Sequence, residues 1–485
     1  MFLGLDYGTS EVKALLMNRA GQIIATQGAP LTVSRPQAMW SEQNPADWWT
    51  ATIAALEGLR TQVPNEYAHV QAIGLSGQMH GAVLLDEHHQ VLRPAILWND
   101  VRSHVECDEL TAAVPNLHTL AGNLAMPGFT APKLLWVAKH EPEVFDATRK
   151  VLLPKDYIRF LLTGEFVSEM SDAAGTLWLD VSKRDWSDEL LAATKLDRSY
   201  MPSLVEGSEV SGTLSAAVAT QFGLSVDVKV AGGGGDNAAS AVGIGAVASG
   251  DGFISLGTSG VLFVVNDQYR PNPAAAVHAF CHALPNRWHQ MSVMLSAASG
   301  LRWLCNTVGV KEAELLVEAE ALTAVDTASA PIFLPYLSGE RTPHNDPHAQ
   351  GVFFGMTHET TRAHLAYAVI EGVTFGLLDG LNALRAAGTQ VTELSLVGGG
   401  SRSSFWAQLL ANALQVTIHT HVGSEAGGAL GAARLGALAC GLPESEVCVK
   451  PQISATFEPK VVEGLDARYE KFRGLYRALK PFFKG

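Results

Sequence analysis

The sequence contains two copies of a glycine-hydroxyl turn between apolar segments, "LDYGTS" and "SLGTSG". In such a turn successive backbone N–H groups point outward, glycine lets the chain approach a ligand, and hydroxyls add donors. Thr9 and Ser10 in the first copy, and Gly257 and Thr258 in the second, are therefore candidates for binding phosphate oxygens. One copy alone is more often an ordinary hairpin. Two copies in comparable places favour a nucleotide held from both sides.

Two aspartates have side chains suited to phosphoryl transfer. Asp6 occurs in the first copy only, and its carboxylate is either a ligand for a Mg²⁺ ion that bridges phosphates or a cap on the turn. Asp236 follows the glycines of "VAGGGGDNAAS", where it either accepts the proton of a substrate hydroxyl or caps the next helix. The same glycines fit a minimal dinucleotide-binding pattern. A carboxylate inside that turn would, however, repel a pyrophosphate.

A histidine lies between glycines at the end of another predicted strand, in "LSGQMHGAVLLD". The small neighbours leave space for a ligand beside Met79 and His80, and an imidazole can hydrogen-bond a sugar hydroxyl. A structural histidine is the alternative. Asp100 and Arg102 in "LWNDVR" occupy a similar place, and they either join the site or form an ion pair at the surface.

A further glycine-rich segment, "LVGGGSRSSFWAQLLAN", joins a predicted strand to a predicted helix. Gly399 and Gly400 would let a purine or its ribose lie against the main chain, with Ser404 near the helix start as a polar contact. The alternative is close packing of the strand against the helix.

The elements that must position these residues alternate between strands and helices. Asn44 and Pro45 are the residue types of an N-cap and a first helical position, and Gly388 suits the C′ position after a long segment with helical apolar spacing. The β-turn-β unit at the start recurs in the second half, which indicates duplicated domains. We predict an α/β fold with domains at residues 1–245 and 246–485 and a cleft between them.

The composition limits the classes of partner. A net charge of −14 without a basic block argues against binding of nucleic acid or of an anionic membrane. The five cysteines have neither metal-ligand nor disulfide spacing, and there is no signal peptide or long apolar run, so we expect a reduced cytoplasmic protein. The sequence also lacks a Walker loop, a nucleophile elbow and a zincin motif. Phosphate must therefore be bound without a Walker lysine.

With these motifs and with "MPGFTAPKLLWV", "LLPKDYIRFLLTGEFVSEMSDAAGTLWLD" and "LPYLSGERTPH", the sequence resembles the FGGY family of carbohydrate kinases over essentially its whole length. The resemblance implies two ribonuclease H-like domains of the actin/Hsp70 ATPase type around a central cleft. "GQMHG" followed by "FCHALP" is most similar to the branch that acts on D-xylulose. This branch implies transfer of the γ-phosphoryl group of ATP to the 5-hydroxyl of D-xylulose, which gives D-xylulose 5-phosphate and ADP.

The resemblance also implies roles for individual residues. It makes Asp236 the catalytic base and Asp6 the second catalytic carboxylate, which is associated with Mg²⁺. The sugar-binding residues that it implies are Met79, His80, Asp236 and Asn237. The ATP-binding residues that it implies are Thr9, Ser10, Gly257, Thr258, Gly399, Gly400 and Ser404.

Other functions stay open on the sequence alone. The nearest is a sister kinase that acts on another ketose or on a polyol. An ATP-gated binding protein of the actin/Hsp70 type would keep both hairpins but need no base, and an oxidoreductase rests only on the dinucleotide pattern. A homodimer is compatible with the small-residue segment "EAGGALGAARLGALACG".

Overall fold

The structure is a computed structural model that describes residues 1–422 and 427–483. Its strands, in chain order, are β1 (Phe2–Tyr7), β2 (Glu11–Met17), β3 (Ile23–Pro30), β4 (Glu42–Gln43), β5 (Ala72–Gly77), β6 (Val83–Leu85), β7 (Ala95–Ile96), β8 (Lys150–Leu152), β9 (Val167–Glu169), β10 (Leu179–Asp180), β11 (Asp185–Trp186), β12 (Ser203–Val205), β13 (Val210–Thr213), β14 (Lys229–Ala231), β15 (Gly234–Gly235), β16 (Gly252–Leu256), β17 (Gly260–Asn266), β18 (His278–Cys281), β19 (Trp288–Met294), β20 (Ile332–Pro335), β21 (Gly351–Phe354), β22 (Glu393–Val397), β23 (Thr417–His421) and β24 (Ile453–Phe457).

The helices, in chain order, are α1 (Pro45–Gln62), α2 (Pro64–Tyr67), α3 (His104–Ala113), α4 (Leu117–Ala121), α5 (Thr130–His140), α6 (Pro142–Ala147), α7 (Pro154–Thr163), α8 (Met170–Ala173), α9 (Asp188–Ala193), α10 (Ala216–Phe222), α11 (Asp236–Gly243), α12 (Ala298–Val308), α13 (Glu312–Glu320), α14 (Ala324–Ser329), α15 (Arg362–Ala386), α16 (Ser404–Leu414), α17 (Gly427–Ala439), α18 (Glu444–Val447) and α19 (Leu465–Phe483). None of the helices in the described ranges is long and apolar enough to cross a membrane.

The first large sheet has the strand order β13-β14-β5-β1-β2-β3, and β15 also pairs with β5. Strands β1 and β2 form an antiparallel hairpin, and β1 runs parallel to β5, which places Asp6 beside Ser76. Every residue of β5 is buried, as expected for a strand covered on both faces. The first glycine-hydroxyl turn is the loop of the β1–β2 hairpin.

The second large sheet repeats this arrangement, with the order β18-β19-β17-β16-β22-β23-β24. Strands β16 and β17 form an antiparallel hairpin around the second glycine-hydroxyl turn, and β16 runs parallel to β22. The predicted α/β fold and the predicted repeat of the β-turn-β unit are both confirmed. Parallel neighbours bring the loops after β1 and β5, or after β16 and β22, to one edge of each sheet.

Helix α17, from the second half of the chain, packs on the first sheet. A Cβ atom at Gly4 would lie 1.9 Å from the carbonyl oxygen of Ala429, and one at Gly74 would lie 1.7 Å from that of Ala432. These strands therefore require glycine, because the helix backbone touches theirs directly. The domain boundary near residue 245 stays a prediction, since α17 lies beyond it in sequence and covers the first sheet.

Two predicted helix ends are confirmed. The Asn44 side chain accepts a hydrogen bond from the Ala46 N–H at 3.1 Å, and Pro45 is the first residue of α1. Helix α15 ends at Ala386, and Gly388 follows it with a positive φ of 90°. Both ends use the residue types that such positions favour.

Candidate active site

A cavity of about 520 Å³ is lined by residues from both halves of the chain. All four residues implied to bind a sugar line it, namely Met79, His80, Asp236 and Asn237. Ser259, which follows the second glycine-hydroxyl turn, lines the same cavity. The cavity therefore connects the candidate sugar residues of the first half with the second glycine-hydroxyl hairpin.

Asp236 is the first residue of α11, and its two carboxylate oxygens differ in their contacts. One oxygen accepts hydrogen bonds from the backbone N–H and the side-chain amide of Asn237, at 2.7 and 2.8 Å. The other has no protein hydrogen-bond partner among the described residues. Burial, helped by the charge of Asp6, raises the pKa of Asp236 to about 7. The free oxygen can therefore take up a proton at neutral pH, as a general base must.

The loop that carries Asp236 is fixed in place by hydrogen bonds from other segments. The backbone N–H of Gly235 donates to the hydroxyl oxygen of Ser171 at 3.0 Å, and that hydroxyl donates to Glu169 at 2.8 Å. The Arg159 guanidinium donates to the carbonyl oxygens of Ala231 and Gly232, each at 2.5 Å. These contacts fix the backbone just before β15 and within it. They therefore set the position of the Asp236 carboxylate, which follows directly.

The contacts of Glu169 and Arg159 belong to a fully buried group of five charged side chains, the buried ion network. Its members are Lys155, Asp156, Arg159, Glu169 and Asp172. The Lys155 ammonium lies 2.9, 3.2 and 3.0 Å from carboxylate oxygens of Asp156, Glu169 and Asp172. Burial, and secondarily the charges of Asp156 and Glu169, raises the pKa of Asp172 to about 8 against the opposing effect of Lys155. Each buried cation in the network is thus compensated by the protein itself.

His80 faces the cavity as a neutral imidazole. Its Nδ1–H donates to the carbonyl oxygen of Gly175 at 2.6 Å, which leaves Nε2 as an acceptor. Burial, and secondarily the charge of Lys133, lowers the pKa of His80 to about 3. The ring also packs edge-on against Phe129, with centroids 4.6 Å apart. A neutral acceptor beside an aromatic face suits a sugar hydroxyl better than a phosphate.

Asp6, in β1, is held through one of its two carboxylate oxygens. One carboxylate oxygen accepts a hydrogen bond from the Ser76 hydroxyl at 2.7 Å. Burial raises its pKa, while Ser76 and Lys13 lower it. A Cβ atom at Gly428 of α17 would lie 2.6 Å from the second oxygen, so only glycine leaves space there.

The described residues contain no group of three or more His, Cys, Asp or Glu side chains that could hold a metal ion. Mg²⁺ differs from ions that need a complete protein cage, because it is commonly bound by one or two carboxylates together with substrate phosphates and water. The single Asp6 carboxylate and the space kept by Gly428 therefore fit Mg²⁺ that arrives with a nucleotide.

The hydroxyl of Thr9 points toward the sugar side of the cleft. It donates to Gln78 at 3.2 Å and accepts from the indole N–H of Trp98 at 3.0 Å. The backbone carbonyl of Thr9 accepts from Gln43 at 2.7 Å. Ser10, the next residue, is exposed. These contacts link the first hairpin directly to Trp98, a residue of the cavity wall.

The second hairpin is held by the start of α12. The carbonyl oxygens of Gly257 and Thr258 accept hydrogen bonds from the backbone N–H groups of Ala298 and Ala297, at 2.9 and 3.0 Å. The turn itself is closed by a 3.1 Å hydrogen bond from the Gly257 N–H to Ser259. The carbonyls of the turn and the N–H of Gly257 are thereby occupied, so the N–H groups that remain for a ligand are those after Gly257.

The three residues implied to bind adenosine lie at the same edge of the second sheet but do not line the cavity. Strand β22 runs parallel to β16 and ends just before them. Gly400 is buried, and a Cβ atom there would lie 2.4 Å from the Leu256 side chain, whereas Gly399 has open space beside it. Ser404 is the exposed first residue of α16. Gly400 thus serves close packing, and Gly399 and Ser404 face open space.

Asp100 and Arg102 are not a surface ion pair. Both are buried, their side chains lie 2.7 Å apart, and Asp100 also accepts the backbone N–H of Ser41 at 2.6 Å. The Arg102 guanidinium stacks 3.7 Å from the ring centroid of Trp40. The surface alternative was wrong because the short segment after β7 folds under the cavity wall, where Asp100 is a lining residue.

Other cavity residues were not found from the sequence. They include Trp98, Phe129, Ser259, His278, Phe280 and Arg341. Ser259 adjoins the second turn and could have been included with it. Trp98, Phe129, Phe280 and Arg341 lie in segments that carry the family resemblance, but their residue types alone did not assign them to a site, and long-range packing brings them together.

Residues 1–243 match the family model "FGGY family of carbohydrate kinases, N-terminal domain", and residues 252–440 match the model for the C-terminal domain. The chain belongs to the FGGY family of carbohydrate kinases. It is 51% identical over 485 residues to the xylulose kinase of Escherichia coli (strain K12), with 99% of each chain covered. The family assignment from the sequence motifs is confirmed.

Solved structures agree with this assignment. A "xyloylose kinase" from Brucella ovis is 52% identical and superimposes with a TM-score of 0.96 over 99% of each chain. The xylulose kinase from Rhodospirillum rubrum is 30% identical, with a TM-score of 0.93 over 100% of each chain. FGGY kinases have the actin/Hsp70-like ATPase fold, so this FGGY chain is an ATP-dependent carbohydrate kinase with that fold, as predicted.

Proposed function

We propose that this kinase transfers the γ-phosphoryl group of ATP to the 5-hydroxyl of D-xylulose, which gives D-xylulose 5-phosphate and ADP. The observation that carries this proposal is the free carboxylate oxygen of Asp236 in a cavity that also contains His80 and the second hairpin. D-Xylulose is chosen because the relatives named above are xylulose kinases at 51% and 52% identity.

The proposed chemical step is an in-line transfer with Asp236 as the base. The sugar hydroxyl gives its proton to the free oxygen of Asp236 while its own oxygen forms a bond to the γ-phosphorus. The bond from that phosphorus to the bridging oxygen of ADP breaks. The raised pKa makes the Asp236 carboxylate basic enough to accept this proton near neutral pH.

His80, Met79 and Asn237 would orient the sugar. The Nε2 atom of His80 accepts a sugar hydroxyl, and Met79 forms an apolar wall behind Gly235. Asn237 holds one oxygen of Asp236, so the other oxygen points at the substrate. This positioning matters because small misplacement of the reacting groups costs large factors in rate.

ATP would lie across the two hairpins. Backbone N–H groups of Thr9, Ser10 and Thr258 would donate to its phosphates, and Gly257, whose own N–H donates to Ser259, would let the chain approach them. The adenosine would rest on Gly399, Gly400 and Ser404 at the edge of the second sheet. Asp6 would hold Mg²⁺, which neutralises phosphate charge when bound.

We also propose domains at residues 1–245 and 246–485, a cytoplasmic location and, as the assembly, a homodimer.

The direct test is ADP release by the purified protein with MgATP and D-xylulose, D-ribulose, glycerol or D-gluconate. We expect the highest kcat/KM with D-xylulose and a 5-phosphate product by phosphorus NMR. A higher kcat/KM with another acceptor would make the protein a sister kinase. ADP release that no sugar stimulates would favour an ATP-gated binding protein.

A further inference from the structure

Arg341 lies in the cavity, and the residue after it is hydrogen-bonded to the sheet that carries the second hairpin. Thr342, the next residue, donates its backbone N–H to the carbonyl oxygen of Val293 at 3.1 Å, and its hydroxyl accepts the Val293 N–H at 3.1 Å. Val293 of β19 pairs with Val261 of β17. Since β17 begins at Gly260, directly after the second turn, the strand pair carries Arg341 to the phosphate side of the cavity.

The Arg341 guanidinium has no hydrogen-bond or ion-pair partner within residues 1–422 and 427–483, and the charge that acts on it is that of the adjacent Glu340. Its neighbour Glu340 uses its carboxylate on the backbone N–H groups of Leu295 and of Arg341 itself, at 3.0 and 2.8 Å. Burial lowers the pKa of Arg341. Other cations near the site are compensated, such as Arg102 by Asp100 at 2.7 Å. A desolvated cation without an anion is costly, which points to an anion that arrives with a ligand.

Asp100 and Asp236 line the same cavity, but neither pairs with Arg341. His80 and His278 lie close enough to Arg341 that its charge contributes to lowering the pKa of both rings, so both stay neutral. D-Xylulose carries no charge either. The reaction brings one anionic group to the sugar hydroxyl, the phosphoryl group in transfer, and that group stays on the sugar as a phosphate ester.

On the basis of the proposed function, we propose that Arg341 binds the phosphoryl group as it passes to the sugar and then the phosphate of the sugar phosphate product. A guanidinium binds two phosphate oxygens at once through parallel N–H groups. Arg341 makes hydrogen bonds only. The O–P bond to the sugar forms, the O–P bond to ADP breaks, and the proton goes to Asp236 as already described.

The test compares Arg341→Gln and Arg341→Lys with the wild type and with Arg302→Gln as a control. Arg302 is an exposed residue of α12 that pairs with Glu312 at 2.9 Å. In R341Q we expect kcat to fall by about 10²- to 10³-fold, as when one oxyanion donor is lost. We expect the product inhibition constant of D-xylulose 5-phosphate to rise at least about tenfold, while the KM for D-xylulose changes less than about threefold.

Two further readouts separate this role from a structural one. Because Arg341 has no protein partner, R341Q should unfold at the same temperature as the wild type or higher, whereas loss of a structural contact would lower it. R341K keeps a charge but not the paired N–H groups, so its inhibition constant should lie between those of R341Q and the wild type.

Several outcomes would overturn the inference. Equal weakening of D-xylulose and of D-xylulose 5-phosphate would assign Arg341 to a neutral part of the sugar. Unchanged kcat and unchanged product inhibition in R341Q would remove it from phosphate binding. If the wild-type enzyme is active, either of these results contradicts only the role of Arg341 and leaves the proposed function intact. A wild-type protein without sugar-dependent ADP release would contradict the proposed function itself.

Discussion

The charged side chains that support the loop of Asp236, behind it, are paired with one another, whereas those that face the cavity, in front of it, are not. Behind it, the buried ion network surrounds Lys155 with three carboxylates at 2.9 to 3.2 Å. In front of it, one oxygen of Asp236 and the guanidinium of Arg341 have no partner in the described chain. A paired charge stabilises backbone geometry, and an unpaired charge in a cavity is available to a substrate. The contrast therefore separates charged residues that hold the backbone in place from those that, on our proposal, contact the substrate.

Replacement of a residue on the reacting side should abolish turnover without loss of the fold. In Asp236→Asn we expect kcat to fall by about 10³- to 10⁴-fold, because the amide cannot accept the proton. Binding of D-xylulose and of MgATP should stay within about threefold of the wild type by calorimetry. Turnover near the wild-type value would remove Asp236 from the role of base.

The same variant has a stability readout with a definite sign. The pKa of Asp236 is about 7 in the folded protein, well above the ordinary aspartate value of 3.8. Ionisation of the carboxylate therefore disfavours the folded state. Asp236→Asn should therefore melt at a higher temperature than the wild type at about pH 8, with the gain shrinking toward about pH 4. A lower melting temperature at both pH values would contradict the raised pKa.

Replacement of a residue on the positioning side should instead destabilise the protein. Lys155→Met leaves the buried carboxylates without their cation, so we expect the free energy of unfolding to fall by about 3 to 5 kcal/mol in chemical denaturation. Lys139→Met is the matched control, since Lys139 is 39% exposed and contacts Glu109 at 2.6 Å. It should cost less than about 1 kcal/mol. Equal losses in the two variants would abolish the distinction between the regions.

The smallest predicted effect concerns Asp6, which lies between the two regions. Asp6→Asn should raise the half-saturating Mg²⁺ concentration about tenfold, since one hard anionic ligand is lost. Because the charge of Asp6 raises the pKa of Asp236, the variant should also shift the rising limb of the pH–rate profile to lower pH. Glu11→Gln is the control, since Glu11 is half exposed at 47%. An unchanged Mg²⁺ response in Asp6→Asn would contradict the metal role.

Short sequence motifs were sufficient to predict those structures that neighbouring residues determine by themselves. The repeated turns predicted both hairpins because glycine and hydroxyls at fixed spacing between apolar runs allow few other structures. Met79, His80, Asp236 and Asn237 lie at the ends of strands in their motifs, and strand ends of such sheets converge on ligand sites. Their meeting in one cavity therefore followed from α/β topology.

Contacts between segments that are far apart in the sequence could not be predicted from motifs. The small residues of α17 indicate close packing, yet only the structure shows that the partners are β1 and β5 of the other half. Arg341 lies in the quoted segment "LPYLSGERTPH", but the sequence does not show that its guanidinium lacks a partner in the folded protein. Asp100 and Arg102 form a buried pair, although a surface ion pair was one of the alternatives. The sequence could not exclude it, because it does not show which segments cover a charged residue.

The central claim, that a carboxylate with a raised pKa deprotonates the sugar, is tested most directly by the pH dependence of kcat/KM for D-xylulose at saturating MgATP, which reports the essential groups before the sugar binds. The account predicts that log kcat/KM rises with unit slope and levels off above a pKa of about 7, the value of Asp236. A profile that is flat between about pH 5.5 and 8.5 would contradict it.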